Sequence, residues 1–96
     1  MTYELRFHKD ALKEWNKLDA SVRQQFKPLL ARRLEQPHVL SARLHGHDMH
    51  KVYKIKLRDA GYRLVYEVND AIVTVLVLAV AKRDKNAAYT LASRRR

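Results

Sequence analysis

Lys51-Val52-Tyr53-Lys54-Ile55-Lys56-Leu57-Arg58-Asp59-Ala60-Gly61-Tyr62-Arg63 alternates cationic and apolar side chains, turns at Asp59-Ala60-Gly61, and resumes the same chemistry at Arg63. Successive side chains of a strand point to opposite faces of the sheet. Lys54, Lys56 and Arg58 therefore share one face, and Tyr53, Ile55 and Leu57 share the other, which is the expected core face. If Tyr62-Arg63-Leu64-Val65-Tyr66 is the returning strand, Leu64 and Tyr66 extend the core face and Arg63 joins Lys54 and Lys56. Like charges directly opposite one another destabilise a sheet. A hairpin that gathers cations on one face carries that cost, and a bound polyanion would offset it.

Upstream of the hairpin, residues 2–7 alternate with Tyr3, Leu5 and Phe7 on one side and read as a short strand. Ala11, Leu12, Trp15 and Leu18 then recur at helical spacing, which predicts an amphipathic helix over residues 9–18. A second helix follows almost at once, with Val22, Phe26, Leu29, Leu30 and Leu34 as its buried stripe. Ser21 and Gln24 fit a capping box at its start, with Asp19 as a competing cap. Pro28 lies inside the pattern and should kink the helix, and Gln36-Pro37 ends it. Residues 38–50 show no period and read as loop.

Downstream, Asn69-Asp70 marks a turn, and residues 72–80 are apolar at nearly every position. A strand that does not alternate is expected to be covered on both faces. The two helices would cover one face, and the C-terminal segment is the candidate for the other. There Asn86 could cap a short helix carrying Ala87, Ala88, Tyr89, Leu91 and Ala92. A helix so short depends on docking, and Arg94-Arg95-Arg96 reads as a solvated tail. The order of elements predicts an α+β domain spanning residues 1–96, in which two N-terminal helices pack on a small, mostly antiparallel four-stranded sheet with a short C-terminal helix. If the first strand lies beside the last, the two-helix crossover makes that pair parallel and right-handed.

Twenty Lys and Arg against ten Asp and Glu give a net charge of +10 over 96 residues. That excess bears on partners rather than on fold, and admits nucleic acid, the ribosome, an acidic protein or an anionic membrane. With no cysteine, disulfides and thiolate chemistry are excluded. The N-terminus lacks the apolar core of a signal peptide, and residues 71–81 are too short a run to span a bilayer, so a cytoplasmic protein without a membrane partner is expected.

Gly46 and Gly61 are too few for a phosphate-binding glycine loop, and the acidic residues are too scattered for a two-metal nuclease. His45-Gly46-His47-Asp48-Met49-His50 is open to three readings: a metal site, a histidine acid–base pair, or a histidine-rich surface loop. No other residues have the spacing to complete a closed metal site, so neither a metal nor another cofactor is expected. The cationic face itself could be a solvated strand surface or a partly enclosed anion site. In an enclosed site, lysines crowded by other cations titrate low enough to exchange protons near neutrality, while arginines stay charged and stabilise anionic transition states.

Ala11-Leu12-Lys13-Glu14-Trp15-x-Lys17-Leu18, Tyr53-Lys54-Ile55-Lys56-Leu57-Arg58, Gly61-Tyr62-Arg63-Leu64-Val65-Tyr66 and Ala79-Val80-Ala81-Lys82-Arg83 together resemble the RelE toxins of bacterial toxin–antitoxin pairs. The resemblance spans nearly the whole chain in order. It implies a microbial-ribonuclease-like fold, cleavage of mRNA in the A site of the 70S ribosome, and neutralisation by a small RelB-like antitoxin. Operator DNA would be bound only by the toxin–antitoxin complex. Carried over by position, the catalytic residues would be Lys54, Lys56, Arg63, Arg83 and Tyr89, with Arg58, Lys82 and His45 contacting RNA. The resemblance implies attack of the substrate's 2′-hydroxyl on the adjacent phosphate. Lys54 and Lys56 would then move protons, Arg63 and Arg83 would hold the phosphate, and Tyr89 would stack on or orient the target base. A free phenol with a pKa of about 10 is only ~0.1% ionised at pH 7, which disfavours Tyr89 as a base.

Two features depart from the family pattern. Leu44-His45-Gly46 stands where the family carries Leu-Arg-Gly, and the loop over residues 47–52 is longer than in close relatives. Two other functions fit the same charge pattern: a ParE-like toxin that inhibits DNA gyrase, and a non-catalytic module that only binds RNA or the ribosome.

Overall fold

The computed structural model describes residues 2–45, 49–84 and 86–96. In chain order the elements are β1 (Glu4–Phe7), α1 (Lys9–Lys17), α2 (Ala20–Glu35), a single 3₁₀ turn (Leu40–Ala42), β2 (Val52–Leu57), β3 (Tyr62–Asn69), β4 (Thr74–Lys82) and α3 (Ala87–Arg95). The strands form one sheet in the order β1-β4-β3-β2, in which β1 runs parallel to β4 and the other pairs are antiparallel. This is the α+β architecture expected from the sequence, including the parallel first and last strands.

The hairpin forms in the register that its alternation requires. Tyr53 lies opposite Tyr66, Ile55 opposite Leu64, and Lys56 opposite Arg63. Tyr53, Ile55, Leu57, Leu64 and Tyr66 are buried in one core together with Ala11, Val22, Phe26 and Leu30 of the first two helices and Leu18 between them. A second core lies on the opposite face, where Ala88 and Ala92 of α3 pack over Val52, Val65, Leu78 and Ala79.

β4 is covered on both faces, and a β-bulge adds a further reason for its lack of alternation. Val65 pairs with Ala79 and Tyr66 with Val77, so Leu78 is an extra residue in the ladder. Val75, Val77 and Val80 therefore enter the first core, while Leu78 and Ala79 both enter the core under α3. The strand also begins later than residue 72. Asn69 Oδ1 accepts from the backbone N–H groups of Ala71 and Ile72 at 3.1 and 3.3 Å, which prolongs the turn and leaves Ile72 63% exposed.

Two expectations about helix caps are corrected. No Ser21–Gln24 capping box forms, because α2 already includes Ser21, and Asp19 occupies the N-cap position without a side-chain cap bond. The Asp19 carbonyl instead accepts from the N–H groups of Val22 and Arg23, and Arg23 Nη1 donates to the carbonyls of Asn16 and Leu18 at the end of α1. The helix continues through Pro28, whose missing N–H leaves the Gln24 carbonyl without its usual donor. Asn86 does hold the N-cap position of α3, with φ of 58°, yet its side chain makes no capping bond.

Of the arginine tail expected to be solvated, Arg94 is exposed, but Arg95 and Arg96 form ion pairs. Arg95 belongs to α3 and forms a bidentate pair with Glu14 of α1, both bonds at 2.8 Å. Past Val77, β4 has no β1 partner. There the Leu78 carbonyl accepts from Arg95 Nη1 at 2.9 Å, and the Val80 N–H donates to Glu14 Oε1 at 3.0 Å. The ion pair thus occupies backbone groups beside the bulge and fastens α3 to α1. Arg96 pairs with Glu67 of β3 at 2.6 Å.

Candidate active site

The hairpin turn and the end of β4 bring the cationic residues together. Gly61 closes the turn with φ of 74°, a conformation that glycine adopts without steric cost. Its carbonyl accepts from the Arg83 N–H at 2.9 Å, which fixes Arg83 just beyond β4 and beside the hairpin. Lys56, Leu57, Arg58, Tyr62, Arg63 and Arg83 then line a hollow of about 170 Å³. Four of these six side chains are cationic, and no carboxylate or imidazole is among them.

Lys56 and Arg63 are direct cross-strand partners, so the strained like-charge pairing read from the sequence is real. Lys56 titrates below the ordinary lysine value. The main cause is the Lys54 ammonium on the same strand face, followed by partial desolvation and then by Arg63 and Arg58. Lys54 itself lines a second, adjoining hollow together with Lys56 and Arg58.

α3 meets this cluster through Arg63. The Arg63 guanidinium lies 5.1 Å from the centroid of the Tyr89 ring, a cation–π contact, and Arg63 Nη1 donates to Asn86 Oδ1 at 3.2 Å. The Tyr89 hydroxyl is buried and, among the described residues, is the one buried side-chain polar atom with no hydrogen-bond partner. Such an atom carries a desolvation cost that calls for a reason.

The fold thus gathers Lys56, Arg58, Arg63 and Arg83 around one hollow, with Tyr89 against Arg63 and Lys54 next door on β2. Lys82 is exposed and lies opposite Tyr62 at the end of β4, but it lines neither hollow. His45 is exposed and also lines neither. Of the histidine-rich stretch, Gly46, His47 and Asp48 lie outside the described residues. Among the described residues there is no group of three or more potential metal ligands. Asn86 was missed as a partner of Arg63, because its place at the start of a helix signals a cap before anything else.

An arrangement of fixed cations with a low-titrating lysine can bind a phosphodiester, stabilise extra negative charge on it, and exchange a proton with it. Proteins of known family share this framework. A family model described as the ParE toxin of the type II toxin–antitoxin system parDE matches residues 5–87. The mRNA interferase toxin RelE of Escherichia coli is 47% identical over 95 residues, covering 99% of this chain and 98% of the relative. The chain belongs to the RelE/ParE toxin family. Its fold superposes on a RelE double arginine-to-alanine mutant from E. coli in the free state with a TM-score of 0.90 and 46% identity, covering 99% of this chain and 98% of the other. It also matches the RelE chain of the intact E. coli RelBE toxin–antitoxin complex, with a TM-score of 0.80 and 47% identity, covering 86% of this chain and 99% of that one. The fold expected from the RelE resemblance is therefore the fold observed. No helix among the described residues is long and apolar enough to cross a membrane.

Proposed function

We propose that this RelE-family chain is the toxin of a toxin–antitoxin pair and acts as a ribosome-dependent endoribonuclease, cleaving mRNA in the ribosomal A site and so stopping translation in the cytoplasm. The observation that carries the reading is the convergence of Lys56, Arg58, Arg63 and Arg83 on one hollow that no carboxylate lines among the described residues, with Tyr89 packed against Arg63. The high identity to relatives named mRNA interferase supports the same activity.

In the proposed reaction the 2′-oxygen of the nucleotide before the cut attacks the adjacent phosphorus as its proton leaves. The bond from phosphorus to the 5′-oxygen of the next nucleotide breaks, and that oxygen takes up a proton. The products are a 2′,3′-cyclic phosphate and a 5′-hydroxyl. Lys56, whose lowered pKa gives it a larger neutral fraction than a free lysine, accepts the 2′-proton. Lys54, the neighbouring ammonium, returns a proton to the leaving oxygen. Arg63 and Arg83 hold the nonbridging oxygens as their charge grows, and Arg58 neutralises the strand beside them. Tyr89 orients the target base. Its hydroxyl is buried and unpartnered in this state, so engagement of that oxygen requires α3 or its surroundings to shift.

No strong base lines the hollow among the described residues, so rate acceleration rests on electrostatics and on positioning of the mRNA by the ribosome. Free RNA is accordingly a poor substrate. A small RelB-like antitoxin would neutralise the toxin by covering the cationic face or by displacing α3, and the pair would bind its operator DNA as a complex. Lys82 and His45 would contact RNA outside the reacting centre.

The test is A-site cleavage in a reconstituted translation reaction. Lys56→Ala and Arg83→Ala should each lower cleavage by about 10²-fold or more, the scale seen when one preorganised charge donor is removed, while circular dichroism and melting remain those of a folded protein. Cleavage at the wild-type rate by both variants would sink the assignment.

A further inference from the structure

The second hollow, of about 310 Å³, is lined by Arg33, Ser41, Ala42, Lys54, Lys56 and Arg58. We infer that it is a second phosphate station, which holds the mRNA phosphate next to the scissile one and uses Arg33 and Ser41 as binding residues. The inference rests on the nuclease reading above and extends it from the cut linkage to its neighbour.

Lys56 and Arg58 border both hollows, so the two form one continuous strip along β2. Side chains two apart on a strand are spaced by about 6.6 Å, comparable with the step between successive phosphates of an extended nucleic-acid strand. Lys54 and Lys56 therefore set cations at the repeat of the backbone they would track. Among the described residues, no carboxylate and no aromatic ring lines the hollow. An anion is attracted there, whereas a base would find no aromatic ring on which to stack.

Arg33 makes the hollow a built feature. It projects from α2, its Nη1 donates to the Lys54 carbonyl and to the Tyr66 hydroxyl, both at 3.0 Å, and its guanidinium lies 5.8 Å from the Tyr66 ring centroid. The Tyr66 hydroxyl in turn donates to the Pro37 carbonyl at 2.8 Å. The guanidinium is thus immobilised on the edge of β2 before any ligand arrives. Among the described residues no hydrogen bond uses its Nε or Nη2, and a planar fork held in this way suits a phosphate. Ser41, exposed in the 3₁₀ turn, adds a hydroxyl to the lining, and no described residue bonds to it.

The experiment couples a charge change in the protein to a charge deletion in the RNA. Ribosomes are programmed with mRNAs that carry one neutral methylphosphonate, either just 5′ or just 3′ of the scissile linkage. At one of these two positions the wild-type protein should show a KM raised roughly tenfold, the scale of one charge-assisted hydrogen bond. Ser41→Asp, which places an anion in the hollow without removing a fold contact, should raise KM on ordinary mRNA by a similar factor and show no further loss with that methylphosphonate. Ser41→Lys should lower KM, and Arg33→Gln should behave as Ser41→Asp does.

Additive losses at both flanking positions would overturn the inference. So would an equal loss of Ser41→Asp affinity for ribosomes with no mRNA in the A site, which would place ribosomal RNA in the hollow instead. Failure of the wild-type protein to cut unmodified mRNA would refute the nuclease reading itself, and is read separately.

Discussion

Lys56 faces Arg63 across the hairpin and has Lys54 beside it, an arrangement chosen for chemistry against stability. Because its pKa is lowered on folding, the unfolded chain binds more protons in the range between the folded value and the ordinary lysine value. Stability therefore rises with pH through that window, and the repulsion is greatest on its acid side. Lys56→Met should accordingly melt above the wild-type protein at neutral pH while losing cleavage. The gap should narrow as pH rises past the Lys56 titration and as salt is added, and thermal melts at low and high ionic strength check it. An equal or lower melting temperature at neutral pH and low salt would mean that the cations do not strain one another. This pairing was legible in the sequence because alternation fixes the face of every hairpin side chain. Arg33 was not, since its partners, the Lys54 carbonyl and the Tyr66 hydroxyl, are far away along the chain and meet it only once α2 has packed over the hairpin.

α3 is a nine-residue helix, too short to be stable alone, and it carries the Tyr89 that rests against Arg63. Docking of Ala88 and Ala92 and the Arg95–Glu14 pair hold it in place. Arg95→Ala should cost roughly 1–3 kcal/mol, the range for loss of hydrogen bonds to charged groups. Its clearest sign is faster hydrogen exchange across α3, with the β2–β3 hairpin unaffected. The same amides should change protection when an antitoxin displaces the helix, and unchanged exchange over residues 86–93 would favour simple covering of the cationic face. That a C-terminal segment covers β4 followed from the nearly continuous apolar run. The fate of Arg95 did not, because its partners at Leu78 and Val80 exist only through a bulge whose position no local pattern reveals. The late start of β4 was hidden for a related reason: the Asn69 side chain competes with the sheet for the N–H groups of Ala71 and Ile72.

Across the whole molecule, two helices close one face of the sheet and the third closes only part of the other. A cationic strip is left open along β2 and the hairpin turn. With a net charge of +10, the chain is drawn to any polyanion. Binding alone therefore cannot separate a nuclease from an RNA-binding module or from a gyrase-directed toxin of the same family. Product ends can separate them. The decisive measurement is the mapping of mRNA ends in a reconstituted translation reaction, with ribosomes present and with ribosomes omitted. Cuts are expected within the A-site codon, bearing 2′,3′-cyclic phosphate and 5′-hydroxyl ends, at a rate that collapses without ribosomes. Intact mRNA in both reactions, or gyrase-dependent DNA breaks in their place, would contradict the nuclease reading.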